Sequence, residues 1–178
     1  KGRVRTVMFL SNSTIDEIST VWLDHRYVTS VNLARVLAKH HWKRSFQWKN
    51  PGAGFDYSSI GPNEGIVIIG DQCFAMENRY RHGYDLGQEW NNFTGLPFVF
   101  ACWVSAGQQS GEFMDIFNRS LEKGLSNIGK AVREMNRLGF LSDDEISEYL
   151  TQNIDYPLDQ QKREAMDLFL KYVKSLNE

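Results

Sequence analysis

The chain has 178 residues, of which 42% are hydrophobic, 24% charged and 13% aromatic. That composition excludes a disordered or fibrous chain and suffices for one domain or two small lobes around an ordinary core. Lys and Arg number 20 against 22 Asp and Glu, a net charge of −2, which argues against a general polyanion binder but leaves room for a local basic pocket.

The opening run KGRVRTVMFLSNS is basic and then apolar. Its apolar core is short, lacks a small-residue cleavage site and alternates, so a strand over 3–11 is expected rather than a signal peptide. The strand ends in the polar turn Ser11-Asn12-Ser13-Thr14, and STVWLD (19–24) is a second short strand. A one-sided stripe of Val31, Leu33, Ala34, Val36 and Leu37 predicts a helix from about Ser30 to His41, and SFQW (45–48) alternates as a third strand would. Residues 49–65, rich in Gly, Pro and Ser, form the clearest loop, a surface excursion. GIVIIGD (65–71) is apolar without alternation, which predicts a strand buried on both faces of an α/β sheet.

YDLGQEWNNFTGLP (84–97) predicts a short helix stopped by Gly95 and Pro97, and PFVFACWV (97–104) another buried strand. A long helical stretch follows from Gly111 to about Leu138, with Phe113, Ile116, Phe117, Leu121, Leu125, Ile128, Val132 and Met135 three or four residues apart. SDDE (142–145) is a capping box opening a helix to about Asn153, and the last helix runs from about Asp159 to Leu176. The fold class is therefore α/β, with an α/β lobe over residues 1–105 and helices over 106–178 that have little sheet beneath them. No apolar run approaches the roughly 18 residues of a membrane span, and a cytoplasmic protein is expected.

Three stretches are candidate sites. Thr29 and Ser30 stand together at a helix start, where unpaired N–H groups attract anions; one hydroxyl can cap the helix while the other meets a ligand oxygen. Gly70 and Asp71 end a buried strand, where open α/β sheets bind ligands, and Asp71 either caps the next helix or meets a substrate hydroxyl. Ser11 follows another strand end and carries the same two readings. Metal ligation is not expected: His40 and His41 adjoin on one helix and diverge as a solvated pair at its end, and His25 and His82 are isolated. Cys73 and Cys102 lie in apolar runs and read as buried free thiols. Arg79 and Arg81 in NRYRHG could meet a carboxylated ligand, but solvated arginines are commoner.

LDHRYVTSVNLARVL, IVIIGDQCF and YDLGQEWNNFTGLPFVFACW together resemble the menaquinone biosynthesis enzymes of the futalosine pathway, on the chorismate dehydratase branch. The resemblance runs over nearly the whole chain and is weak after about residue 110. It implies the two-lobed fold of type 2 periplasmic binding proteins with the ligand between lobes. Residues 1–105 would be the second lobe, residues 106–178 a helical return to the first, and the first lobe's opening section would lie outside this chain. It also implies a hydro-lyase that needs no cofactor and no metal. The enzyme would act on a small dicarboxylate, chorismate, to form 3-[(1-carboxyvinyl)oxy]benzoate, with no nucleic-acid or membrane partner. Thr29 and Ser30 match the Thr-Ser that the family turns toward a substrate carboxylate; Ser11, Gly70 and Asp71 match positions at the cleft. Tyr27-Val28 stand where most relatives have Ser-Arg, a departure that bears on affinity. No strong base candidate stands in the chain. The sister enzyme 1,4-dihydroxy-6-naphthoate synthase is similar, but uses an Ile-His-Glu histidine as base where this chain has Ile69-Gly70-Asp71. A non-catalytic small-anion binding module on the same architecture is the alternative from another class.

Overall fold

In a computed structural model, which describes residues 2–23, 26–52, 54–135, 139 and 141–177, the predicted strands resolve into β1 (Val7–Ser11), β2 (Thr20–Leu23), β3 (Gln47–Lys49) and β4 (Glu64–Ile69). A fifth, β5 (His82–Asp85), is too short and too polar to announce itself in the sequence. They form one mixed sheet in the order β3-β2-β4-β1-β5. β2 runs parallel to both β3 and β4, while β1 runs antiparallel to β4 and β5.

The continuous apolar run of β4 does mean burial on both faces. Val67 joins Phe9, Val21 and Leu23 under α1 (Val28–Val36) and α3 (Leu86–Thr94), with Phe169 and Tyr172 of α7 (Gln160–Lys174) packed alongside. Ile66 and Ile68 face the other way with Met8 and Leu10, and are covered by Cys73 of α2 (Gln72–Met76), by Tyr80, and by Phe55, Tyr57 and Ile60. Those last three belong to the loop expected to be a surface excursion. The loop does run over the surface, its described residues 49–63 all at least partly exposed, and those three side chains cover the second face of the sheet because they gain by leaving water.

Gly65 sits where Phe9 crosses the sheet. A Cβ there would lie 2.3 Å from the Phe9 ring. The ring in turn meets Trp42 at 5.5 Å and Tyr84 at 5.9 Å, both edge to face. α1 ends in a widened turn, Leu37–His41, in which the Trp42 N–H donates to the Leu37 carbonyl five residues back at 2.8 Å. α3 runs from an Asp85 cap to Gly95, which holds the left-handed φ of 73° that ends it, as the sequence suggests.

The chain divides into two compact units, Lys1–Phe100 with Pro157–Glu178, and Ala101–Tyr156. The first holds the sheet and α7. In the second, the long helix expected from Gly111 is two helices, α4 (Gly111–Leu125) and α5 (Ile128–Met135), broken at Ser126-Asn127; its expected end at 136–138 lies outside the described residues. α6 (Asp143–Glu148) opens on the expected Ser142–Glu145 capping box and continues as a wide turn to Asn153.

The strand expected over 97–104 does not form. A strand needs a neighbour to complete its ladder, and no described strand pairs with this run. Phe98 and Phe100 pack near Trp90 and Phe169, while Trp103 and Val104 are 77% and 87% exposed. Cys102 is exposed rather than buried, whereas Cys73 is buried as expected, its thiol donating to the Ile68 carbonyl at 3.3 Å. Among the described residues, no helix is long and apolar enough to cross a membrane.

Gly65→Ala should lower unfolding stability by about 1–3 kcal/mol, read from urea denaturation, because the added methyl and the Phe9 ring cannot share the space. The two thiols should separate chemically. Burial pushes the Cys73 thiol up to about 12, so iodoacetamide at mildly alkaline pH should alkylate Cys102 alone in the native protein and both after unfolding, as read by mass.

Candidate functional site

Because β2 and β4 are parallel, with Leu23 beside Val67, both leave the sheet on the same edge. β1 enters there, since Gly70 donates from its N–H to the Thr6 carbonyl at 2.8 Å. The segment leading to α1 and the Gly70-Asp71 turn therefore share this carboxyl edge. So do the end of β5 and the start of α3, since Asp85 pairs with Met8.

Ser11 does not join them. It pairs with Gly65 and His82 at the opposite end of β1, five residues from Thr6, or roughly 17 Å along an extended strand. It is fully buried, and its hydroxyl donates to the Ser13 carbonyl at 2.5 Å.

Thr29 and Ser30 lie at the start of α1, but neither is its cap. The helix begins two residues earlier than expected: Tyr27 holds the cap position, with φ −99° and ψ 69°, and offers no side-chain bond. Thr29 and Ser30 are thus the second and third helical residues. The first intrahelical bond runs from the Val31 N–H to the Tyr27 carbonyl at 2.9 Å, which leaves the N–H groups of Val28, Thr29 and Ser30 without helical acceptors. Ser30 is buried, at 5% exposure, and Thr29 before it is half-buried. Val28 beside it is largely exposed.

Gly70 has φ +82°, a conformation that disfavours any other residue, and nothing lies within 4 Å of where its Cβ would be. Backbone shape, not crowding, requires the glycine, and the space above it is open. Asp71 is exposed at the cap position of α2 without making a capping bond. The side-chain cap suggested by the sequence is not made, because its backbone is already helical at φ −59°, ψ −27°.

Two residues at this edge were not among the expected site residues. Asp85, 6% exposed, gathers four N–H groups with its carboxylate. Oδ2 accepts from Val4 at 2.9 Å and Arg5 at 2.6 Å, and Oδ1 accepts from Gly87 and Gln88 at 3.0 Å each. It caps α3 and at the same time pins the chain as it enters β1. A capping Asp ahead of a helical stripe could have been suspected, but not the reach of about 80 residues. Arg5, with φ 64°, lies over the Phe74 ring at 5.1 Å and pairs with Glu77 at 3.3 Å.

The histidines are placed differently from the expected solvated pair. They diverge, but each has a partner: His40 Nε2 lies 3.0 Å from Ser175 Oγ, and His41 Nε2 lies 3.3 Å from the Glu89 carboxylate. Partial burial, with Lys39 and Lys43 nearby, holds His40 below the usual imidazole range. Arg79 and Arg81 are exposed, as expected; His25 lies outside the described residues.

A mixed α/β unit with a helix start and a glycine turn on one sheet edge is the setting in which this chain meets its relatives. The sequence matches the family described as menaquinone biosynthesis over residues 1–175, and the chain belongs to that family. It is similar to the chorismate dehydratase of Campylobacter jejuni subsp. jejuni serotype O:23/36 (strain 81-176), at 25% identity over 146 residues. The match covers 80% of this chain and 65% of that protein, so the chain spans less than two thirds of this relative's length.

Asp85→Ala should cost about 2–3 kcal/mol of stability in chemical denaturation, since it strips a charged acceptor from four N–H groups at once. Asp85→Asn, which keeps one carbonyl oxygen, should cost less.

Proposed function

We propose that this chain forms the second lobe, with part of the helical return, of a chorismate dehydratase on a periplasmic-binding-protein-like scaffold. One observation carries the reading. The parallel pair β2 and β4 puts the start of α1, with the Thr29 and Ser30 hydroxyls and three N–H groups that have no helical acceptor, on the same edge as the open Gly70-Asp71 turn. Such a helix start suits a carboxylate, which supplies charge to the positive end of the dipole and acceptors to the free donors. Thr29 and Ser30 hold one substrate carboxylate, Gly70 lets the ring approach the backbone, and Asp71 positions a substrate hydroxyl. Ser11 has no part in this site.

The chemistry asks little else of these residues. A ring C–H and the C–OH bond break, proton and hydroxide leave together as water, and the ring becomes aromatic. Orientation of the two bonds and stabilisation of developing charge are what the protein supplies. The exposed apolar side chains of Ala101–Tyr156, among them Trp103, Val104, Phe113 and Ile116, fit a stretch that in the complete enzyme is covered by the remainder of the other lobe. The family match and the similarity to a chorismate dehydratase support the choice of reaction. A non-catalytic anion-binding role is the second reading, favoured by the exposure of Asp71 and the engagement of Asp85 with four N–H groups.

The test is chorismate consumption by the full-length polypeptide carrying this sequence, followed by ultraviolet absorbance and product mass. The expected product is lighter by one water, with Ser30→Ala slower by at least about ten-fold at an unchanged melting temperature. A folded parent that melts higher with chorismate yet leaves it intact would move the reading to the binding module.

A further inference from the structure

Away from the carboxyl edge, a groove of about 660 Å³ lies along the flank of α1, between β3 and the C-terminal end of α7. That volume is within the range of small-molecule sites. Three cations line it: Arg35 and Lys39 from α1 and its wide turn, and Arg44 from the segment before β3. Phe46 and Trp48 form an aromatic wall and Val173 and Leu176 an apolar one.

The cations are unevenly satisfied. Lys39 donates to the Ser175 carbonyl. Arg44 donates to the Asp16 carbonyl and lies 3.9 Å from the Asp16 carboxylate. Arg35 has no hydrogen bond or ion pair among the described residues; its guanidinium lies over the Trp48 ring at 5.8 Å. The Nε atoms of both Arg35 and Arg44 are buried without an acceptor. Those two Nε atoms are closed to solvent, so an anion in the groove meets the outer guanidinium nitrogens, and those of Arg35 have no acceptor among the described residues. Position in the last turn of α1 suits Arg35 to the helix dipole, but that explains its charge and not its empty donors.

We propose that this groove is a second binding site, distinct from the carboxyl edge, for a phosphate monoester carried on a planar aromatic group. The phosphate takes the outer donors of Arg35 and Arg44 with the Lys39 ammonium at its rim, and three cations, of which only Arg44 is paired with a carboxylate among the described residues, favour a dianion over a monoanion. The aromatic group lies against Trp48 and Phe46, which stand 5.5 Å apart, edge to face.

Phenyl phosphate is the probe, titrated calorimetrically into the full chain, with inorganic phosphate and phenol as partial probes. One-to-one binding is expected, weaker for phosphate and lost for phenol. Arg35→Gln should weaken phenyl phosphate by at least about ten-fold and Ser30→Ala should leave it unchanged. An NMR titration of the unaltered protein keeps the test independent of how the variants fold: the Trp48 indole N–H signal must shift with the probe. The proposal falls if the folded parent does not bind phenyl phosphate, if Trp48 stays unmoved, or if Ser30→Ala abolishes binding while Arg35→Gln does not. Phenyl phosphate binding and chorismate turnover are read separately, so failure here leaves the dehydratase reading standing, and the reverse also holds.

Discussion

A strand that is dry on both faces cannot stand at the edge of a sheet, and β4 is such a strand. Ile66 and Ile68 need one apolar cover and Val67 needs another, so β4 is flanked by β1 and β2, with helices on one side and an aromatic loop with α2 on the other. Register follows from the same demand. A slip of one residue would turn Ile66 and Ile68 toward the helices and move Gly65 away from Phe9, where only a glycine fits. The parallel pairing of β2 with β4, and with it the meeting of α1 and Gly70 on one edge, is a consequence of sealing β4.

Asp85 does for the chain path what β4 does for the layers. Its carboxylate closes the start of α3 and the entry to β1 with the same two oxygens, so the segment before the first strand is held without any strand of its own. Beside it, Arg5 bridges from Phe74 to Glu77. The carboxyl edge thus has a rigid side, built from Asp85 and Arg5, and a side at Thr29, Ser30 and Gly70 that is open above the glycine. A ligand site requires both.

What could be read from the residues, and what could not, divides along a physical line. Local rules worked: both-face burial of β4, the Gly95 stop of α3 and the Ser142–Glu145 capping box are written in single short stretches and appear as read. Direction within the sheet is not local. Ser11 and Asp71 both follow strand ends, but β1 is antiparallel to β4, so the two ends point to opposite edges, and no periodicity reveals that. Adjacent hydroxyls resemble a cap, yet a Val at the first helical position moved the start back and made Thr29 and Ser30 interior to the turn. The run 98–104 has the composition of a strand and lacks the neighbour that would make it one. In the loop 49–65, glycines and prolines concealed the aromatic residues that do the covering.

The wide turn at Leu37–His41 has a meaning for how this chain tolerates length changes. A turn that spans five residues rather than four holds one more residue than an α-helix needs, and so works as an insertion absorbed without lengthening the helix. Removing one residue there would restore α geometry and rotate everything beyond it by about a hundred degrees relative to α1. Trp42 would leave Phe9 and the Glu89 carboxylate to which its indole N–H donates at 2.8 Å, and His41 would lose Glu89 with it. A single codon in this turn therefore governs the angular phase between the helix that carries the candidate site and the aromatic cluster beneath it.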